Sequence, residues 1–198
     1  MSVFLVFDVE CLAANVWSSV SFVIANRSGR VLETAEFFAE TTEKATGATA
    51  DFWKRHPDAH AYNIQQSRGR NREDEERNLC VFVQSVKDKY NYIALSDTPE
   101  FDARIINNIL IAHNHTTLSQ RDSNTYFQCL CAWSFRLAVA KIYNISGKRL
   151  RKYLRYHTET VHGGIYAHTS LFDSYTILYD HLSLLDFIDC VKTTVPFL

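Results

Sequence analysis

The first forty residues alternate short apolar runs with polar connections, a pattern that predicts β-strands. Residues 3–9 are almost wholly apolar until they reach a carboxylate, and they are rich in β-branched and aromatic side chains, as in buried strands. Residues 16–24 and 31–38 have a similar character, and residues 26–30 supply a turn between them. Strands joined by such short connections predict an antiparallel meander.

Helical spacing of apolar residues begins after residue 70. Residues 71–89 carry acidic side chains at their start, where a helix favours them, and a short apolar run at 92–96 then predicts a buried strand. The remaining predicted elements are helices at 101–113, 134–143 and 148–156, one or two helices within 168–192, and a strand at 126–131. Residues 41–70 predict a polar, irregular segment with a short aromatic cluster. The order of these elements indicates an α/β fold with a mixed sheet flanked by helices.

Composition limits the class of protein. At 198 residues and 46% hydrophobic content, the chain predicts one domain covering residues 1–198. Five cysteines, an odd number without CxxC spacing, predict reduced thiols rather than a disulfide framework or a zinc site. The pattern contains no signal peptide and no apolar run of membrane-spanning length, so we expect a soluble cytoplasmic protein without membrane contact. The net charge of −1 excludes a simple polycation, but clustered basic residues keep nucleic acid open as a partner.

Two carboxylates follow the apolar part of the first strand. Asp8 and Glu10 are two residues apart, so in a strand their side chains point to the same face. Two neighbouring buried anions are costly unless a cation lies between them, and Mg²⁺ takes carboxylate oxygens as ligands. The pair therefore indicates either half of a divalent-metal site or a strand end that enters a solvated loop.

Three later residues are candidates for the same site. Asp102 opens the helix that follows the predicted strand at 92–96. His168 and Asp173 are five residues apart, which on one continuous helix would leave their side chains about 140° apart. We therefore expect His168 on the loop that enters the last helix and Asp173 on the helix itself.

The chain resembles a known family at these positions. The motifs that carry the resemblance are Asp8-x-Glu10, Phe101-Asp102 at a helix start, and His168-x₄-Asp173 near the C-terminus. Together they look like the three motifs of the DEDDh (DnaQ-like) 3′-5′ exonuclease superfamily. The turn at 95–102 and the pair Phe52-Trp53 look most like the branch of phage exodeoxyribonucleases and bacterial exoribonucleases.

Two alternatives compete within this resemblance, and one position departs from it. Asp97 competes with Asp102, but the preceding Phe favours Asp102. His181 and Asp186 repeat the His-x₄-Asp spacing; the small Ser174 after Asp173 matches the family, whereas a bulky Phe follows Asp186. Cys11-Leu12 stands where many members have Thr and Gly, which affects the expected contacts to the terminal nucleotide.

The resemblance implies an RNase H-like fold, two Mg²⁺ or Mn²⁺ ions, and release of 5′-mononucleotides from the free 3′ end of single-stranded RNA or DNA. It implies metal ligation by Asp8, Glu10, Asp102 and Asp173. It also implies that His168 is the general base, since an imidazole near its ordinary pKa can accept a proton at neutral pH. A homodimer is common among the relatives. The alternative function is a non-catalytic member of the fold that binds nucleic acid or protein.

Three further residues are candidates for nucleic-acid contact. Trp53 offers a ring on which a base could stack, although a core position is the alternative. Arg151 and Lys152 lie in a basic amphipathic helix, which indicates either phosphate contact or an ordinary solvated face.

Overall fold

The computed structural model describes residues 2–13, 15–118, 129–150 and 168–194. Its strands are β1 (Ser2–Ala13), β2 (Val16–Ala25), β3 (Val31–Phe38), β4 (Asn91–Ser96) and β5 (Cys129–Cys131). Its helices are α1 (Gly47–Arg55), α2 (Pro57–Ser67), α3 (Arg72–Lys89), α4 (Pro99–Ala112), α5 (Ala132–Ile142) and α6 (Ser170–Thr194). Within these ranges, no helix combines the length and the apolar character that crossing a membrane requires.

β1 lies at the centre of a five-stranded sheet whose order is β3-β2-β1-β4-β5. The β1–β2 and β2–β3 pairs are antiparallel, which confirms the predicted meander, whereas β4 and β5 add to the other side in parallel. The α/β fold with a mixed sheet flanked by helices is therefore confirmed. The parallel pairing of β1 with β4 ends at Val6 and Leu95, so beyond Val6 the described pairing of β1 is with β2.

The side chains of β1 alternate between two cores, as a pleated strand requires. One core packs against α3 and α4 and takes the odd-numbered residues Val3, Leu5, Phe7 and Val9. The other packs against α6 and takes the even-numbered residues Phe4 and Val6. Asp8 and Glu10 continue this even-numbered series, so the strand itself places both carboxylates on the α6 side of the sheet.

Local sequence accounts for the two helices that flank β4. At the start of α3, the side chain of Asn71 accepts a hydrogen bond from the backbone N–H of Asp74 at 3.2 Å, and acidic residues fill the first turn. α4 begins with Pro99, whose fixed φ suits the first turn of a helix. The helix start predicted before Asp102 is therefore present.

The prediction of an irregular segment at residues 41–70 is wrong between Gly47 and Ser67, where α1 and α2 lie. Of the positions that these helices bury, only Trp53 and Ala59 are apolar, while Asn63 and Ser67 are polar. Asn63 is accommodated by a hydrogen bond from the Ser19 hydroxyl at 2.9 Å. A helix that packs through such polar residues has no clear apolar period, which explains why the pattern failed here.

Candidate active site

Asp8 and Glu10 lie within β1 rather than at its end. They follow the last β1–β4 pair, and across the antiparallel ladder they face Ser21 and Ser19 of β2. The sheet is therefore continuous on the β2 side of the two carboxylates, while the parallel neighbour has already ended. Side chains from other elements can therefore lie beside Asp8 and Glu10 on the side where the pairing with β4 has ended.

α6 brings Asp173 to the same face of the sheet. The Ser21 and Ser174 hydroxyls lie 2.7 Å apart, and both residues are fully buried. Glu36 of β3 accepts a hydrogen bond from the Ser170 hydroxyl at 3.3 Å, which holds the first turn of α6 on the sheet. The small serine side chains allow the helix to approach closely, so Asp173 reaches the carboxylates of β1.

His168 precedes α6 and is not helical. Its φ is 65°, a left-handed conformation that non-glycine residues seldom adopt. His168 therefore lies on the loop just before the helix, as expected. Nδ1 of His168 lies 3.8 Å from Oδ2 of Asp173. Glu10, His168 and Asp173 each offer a ligand atom, and these three atoms lie within 4.8 Å of one another. The rings of Phe52 and His56 pack against His168, with centroids 5.3 Å and 3.9 Å away.

Asp102 joins the site from α4. It is 1% exposed, and its Oδ2 accepts hydrogen bonds from the hydroxyls of Ser96 and Thr98. The competing residue Asp97 is oriented differently, because its carboxylate faces the guanidinium of Arg136 at 3.7 Å. Hydroxyl groups therefore hold the Asp102 carboxylate, whereas the guanidinium of Arg136 holds the Asp97 carboxylate.

Mutual repulsion and burial change the acidity of these carboxyl groups. Burial, followed by the charges of Asp102, Glu10 and Asp173, raises the pKa of Asp8 well above its ordinary value. Burial and the charge of Asp173 do the same to the pKa of Glu10, and burial raises the pKa of Asp102 to about 6. Oxygen donors that repel one another in this way fit a hard divalent cation, whose charge would offset the repulsion.

A cavity of about 160 Å³ opens beside Asp8. It is lined by Asp8, Asp97, Arg136, His168, Phe172, Asp173, Thr176, Ile177 and Asp180. Two of these residues, Arg136 and Asp180, were not predicted; they are hydrogen-bonded to each other at 2.6 Å and are each 5% exposed. A signal was present, since Arg136 is the only basic residue before Lys141 in the mostly apolar sequence of α5.

The structure brings together all five residues expected at the centre of the site: Asp8, Glu10, Asp102, His168 and Asp173. The alternative pair lies elsewhere. His181 is 3% exposed and packs between the rings of Phe4 and Phe135, and Asp186 is on the surface. His168 with Asp173 is therefore the pair that the fold places beside the carboxylates of β1.

The expectations for nucleic-acid contact have a different outcome. Trp53 is 2% exposed, donates a hydrogen bond from Nε1 to the Cys11 carbonyl, and stacks on His60. Because the protein itself covers its ring, the base-stacking prediction for Trp53 is wrong for this structure. Arg151 and Lys152 lie outside the described residues.

No protein-family model matches the chain, and no curated protein matches its sequence. Several solved structures are similar to it, including the two that follow. The nuclease domain of 3′hExo, a DEDDh family member bound to rAMP, has a TM-score of 0.55 and 14% identity over 94% of this chain and 92% of its own. The zinc-bound E. coli ExoI–ssDNA complex has a TM-score of 0.59 and 15% identity over 99% of this chain and 41% of its own. The chain therefore has the RNase H-like exonuclease fold and spans less than half of ExoI.

Proposed function

We propose that residues 1–198 form a single DEDDh-type domain that hydrolyses phosphodiester bonds of single-stranded RNA or DNA from a free 3′ end and releases 5′-mononucleotides. The observation that carries this proposal is the convergence of three separate sequence motifs on one face of β1. Two of the similar solved structures, a DEDDh nuclease domain with rAMP and an exonuclease with ssDNA, support the same class of activity. Placement in the branch of phage exodeoxyribonucleases and bacterial exoribonucleases remains a prediction.

Two divalent ions would be held by Asp8, Glu10, Asp102 and Asp173, whose four charges match two Mg²⁺ or Mn²⁺. Such ions acidify a water molecule and neutralise the phosphate oxygens during displacement. The β1 carboxylates are fixed by the strand, and the Asp102 carboxylate is fixed by the hydroxyls of Ser96 and Thr98. Ligands fixed in this way would hold the ions at defined positions.

His168 would remove the proton from the attacking water. A neutral imidazole has one ring nitrogen with a free lone pair, and this nitrogen would accept the proton. The water oxygen would then bond to phosphorus while the bond from phosphorus to the 3′ oxygen of the preceding nucleotide breaks, and that 3′ oxygen would take up a proton from solvent. Phe52 and His56 restrict the imidazole by packing against its ring.

Labelled substrates test the proposal. Purified protein is incubated with single-stranded RNA and DNA carrying a 3′ or a 5′ label, with Mg²⁺, with Mn²⁺ or with a chelator. We expect the 3′ label to leave at once as a mononucleotide while the 5′-labelled strand shortens stepwise, and we expect the chelator to stop both. Asp173→Asn is the control for a contaminating nuclease. Digestion by that variant at the wild-type rate, or an inert wild-type protein with both metals, would refute the proposal.

Arg151 and Lys152 remain sequence-based candidates for phosphate contact. Changing both to Ala should weaken substrate binding and flatten its salt dependence, since each lost contact to a single strand removes roughly 0.7 from the log–log slope. Fluorescence anisotropy at several salt concentrations measures this slope. A slope equal to that of the wild type would mean that the basic helix is a solvated surface.

A homodimer is tested by light scattering on the same preparation.

A further inference from the structure

Arg136 is a buried cation beside the candidate site. It projects from α5, is 5% exposed, and lines the same cavity as Asp8, His168 and Asp173. Its guanidinium packs over the ring of Trp133, 4.8 Å from the ring centroid. A guanidinium stays protonated throughout the physiological pH range, so Arg136 contributes one permanent positive charge to the wall of this cavity.

Two carboxylates outside the proposed metal-ligand set contact this cation. Nη1 of Arg136 lies 2.6 Å from Oδ2 of Asp180, and both residues are 5% exposed, so this ion pair is desolvated. Nη2 lies 3.7 Å from Oδ2 of Asp97 and makes no hydrogen bond to a described residue. Arg136 thereby connects α5 to the loop after β4 on one side and to the middle of α6 on the other.

Without Arg136, the site would contain a surplus of oxygen ligands. Asp97 lines the same cavity as Asp8, His168 and Asp173, so its charge lies beside the proposed metal ligands. Asp180 lines the same cavity as Asp8. Divalent cations bind wherever several carboxylates converge, and two further anions at this cavity would offer them a second position.

We propose that Arg136 is a positioning residue that excludes Asp97 and Asp180 from metal coordination. Its guanidinium engages both surplus carboxylates, so divalent ions bind only among Asp8, Glu10, Asp102 and Asp173. This inference rests on the proposed function, because it assumes those four ligands.

The variant Arg136→Met removes the cation from both carboxylates while keeping an apolar stem over Trp133. Calorimetric titration with Mn²⁺ should then show about one additional ion per chain relative to the wild type. Single-strand digestion should show kcat reduced roughly 10- to 100-fold, as for loss of a group that orients metal ligands, with KM little changed. Arg77→Met is the matched control, because it removes an exposed arginine paired with Glu73 on α3. This control should leave the number of bound Mn²⁺ ions, kcat and KM unchanged.

A compensated variant separates positioning from substrate contact. Arg136→Met combined with Asp97→Asn and Asp180→Asn removes the cation together with the carboxylates that it engages. It should regain the wild-type Mn²⁺ stoichiometry and most of kcat. Normal Mn²⁺ binding with a kcat as low as that of Arg136→Met would overturn the proposal and would mean that Arg136 acts on the substrate.

Folding of each variant is checked by circular dichroism. Arg136→Met leaves Asp180 buried beside an apolar side chain; should it fail to fold, Arg136→Met/Asp180→Asn carries the same test with only Asp97 released. A wild-type Mn²⁺ stoichiometry in the folded variant would overturn the inference. A wild-type protein that binds Mn²⁺ but digests no substrate would instead refute the proposed function, and the titration would still decide the role of Arg136.

Discussion

The hydroxyl groups of Ser21 and Ser174 lie 2.7 Å apart in the interior, and this contact fixes α6 beside the acidic residues of β1. Ser21 faces Asp8 across the β1–β2 ladder, and Ser174 directly follows Asp173. The distance between the carboxylates of Asp8 and Asp173 therefore depends on how closely α6 approaches the sheet at these serines.

Ser174→Leu should separate α6 from β2. The residue is fully buried, so the added carbon atoms have no free volume, and overpacking of this kind costs about 1–3 kcal/mol. Nuclease activity should fall because Asp173 and His168 move together with the helix. Urea unfolding and a digestion assay measure the two effects.

Ser174→Ala is the control for volume. It leaves the Ser21 hydroxyl without this partner and should cost about 1 kcal/mol of stability while retaining most of the activity. An inactive Ser174→Ala variant with normal stability would show that the hydroxyl itself, rather than helix placement, is needed.

Asp8→Asn should abolish turnover and stabilise the metal-free protein at neutral pH. The pKa of Asp8 is raised above its ordinary 3.8 by burial and by its acidic neighbours, so the folded state binds this proton more readily than the unfolded chain. The wild type therefore loses stability as the pH rises above about 4, whereas asparagine carries no such penalty. In the presence of EDTA, the urea concentration at the unfolding midpoint should be higher for the variant than for the wild type at pH 7. The two midpoints should converge as the pH approaches 4. A lower midpoint at pH 7 would contradict this account.

His168→Ala should slow the chemical step while leaving the metals bound. The four carboxylates determine metal occupancy, whereas proton transfer needs the imidazole, so we expect a rate decrease of roughly 10²- to 10⁴-fold with near-normal Mn²⁺ titration. Single-turnover rates across pH 5 to 9 should also lose the limb that reflects a histidine. A wild-type rate would exclude His168 as the base.

His181→Leu should affect stability at low pH but not the reaction. Burial lowers the pKa of His181 to about 4, whereas the unfolded chain takes up this proton near 6.5. The wild type therefore loses stability as the pH falls from 6.5 to 4, at up to about 1.4 kcal/mol per unit, and leucine removes this contribution. Urea midpoints at pH 4.5 and 7 measure the difference. A pH dependence identical to that of the wild type would mean that His181 is not the titrating group.

The central part of the site was predictable because strand and helix periods determine which side chains share a face. Asp8 and Glu10 follow the even-numbered side of β1, and the five-residue interval between His168 and Asp173 required a break that the structure places at residue 168. These are local constraints, and local sequence is sufficient to express them.

Arg136, Trp53 and α2 depended on tertiary contacts that no local pattern contains. The partners of Arg136 lie 39 and 44 residues away along the chain, on a loop and on another helix. Trp53 is covered because Cys11 and His60 surround it, and α2 packs on β2 through the buried amide of Asn63. Polar side chains that are buried against specific partners look exposed in a sequence.

The mixed pairing of β1 also has a consequence for the order of folding. Its antiparallel partner β2 follows directly in the chain, whereas its parallel partner β4 begins at Asn91, so the meander closes short loops and the β1–β4 pairing closes a long one. During synthesis the meander emerges first and α6 last. A nascent chain therefore carries Asp8, Glu10 and Asp102 long before it acquires His168 and Asp173, and the candidate site is incomplete until α6 has been synthesised and has packed on the sheet.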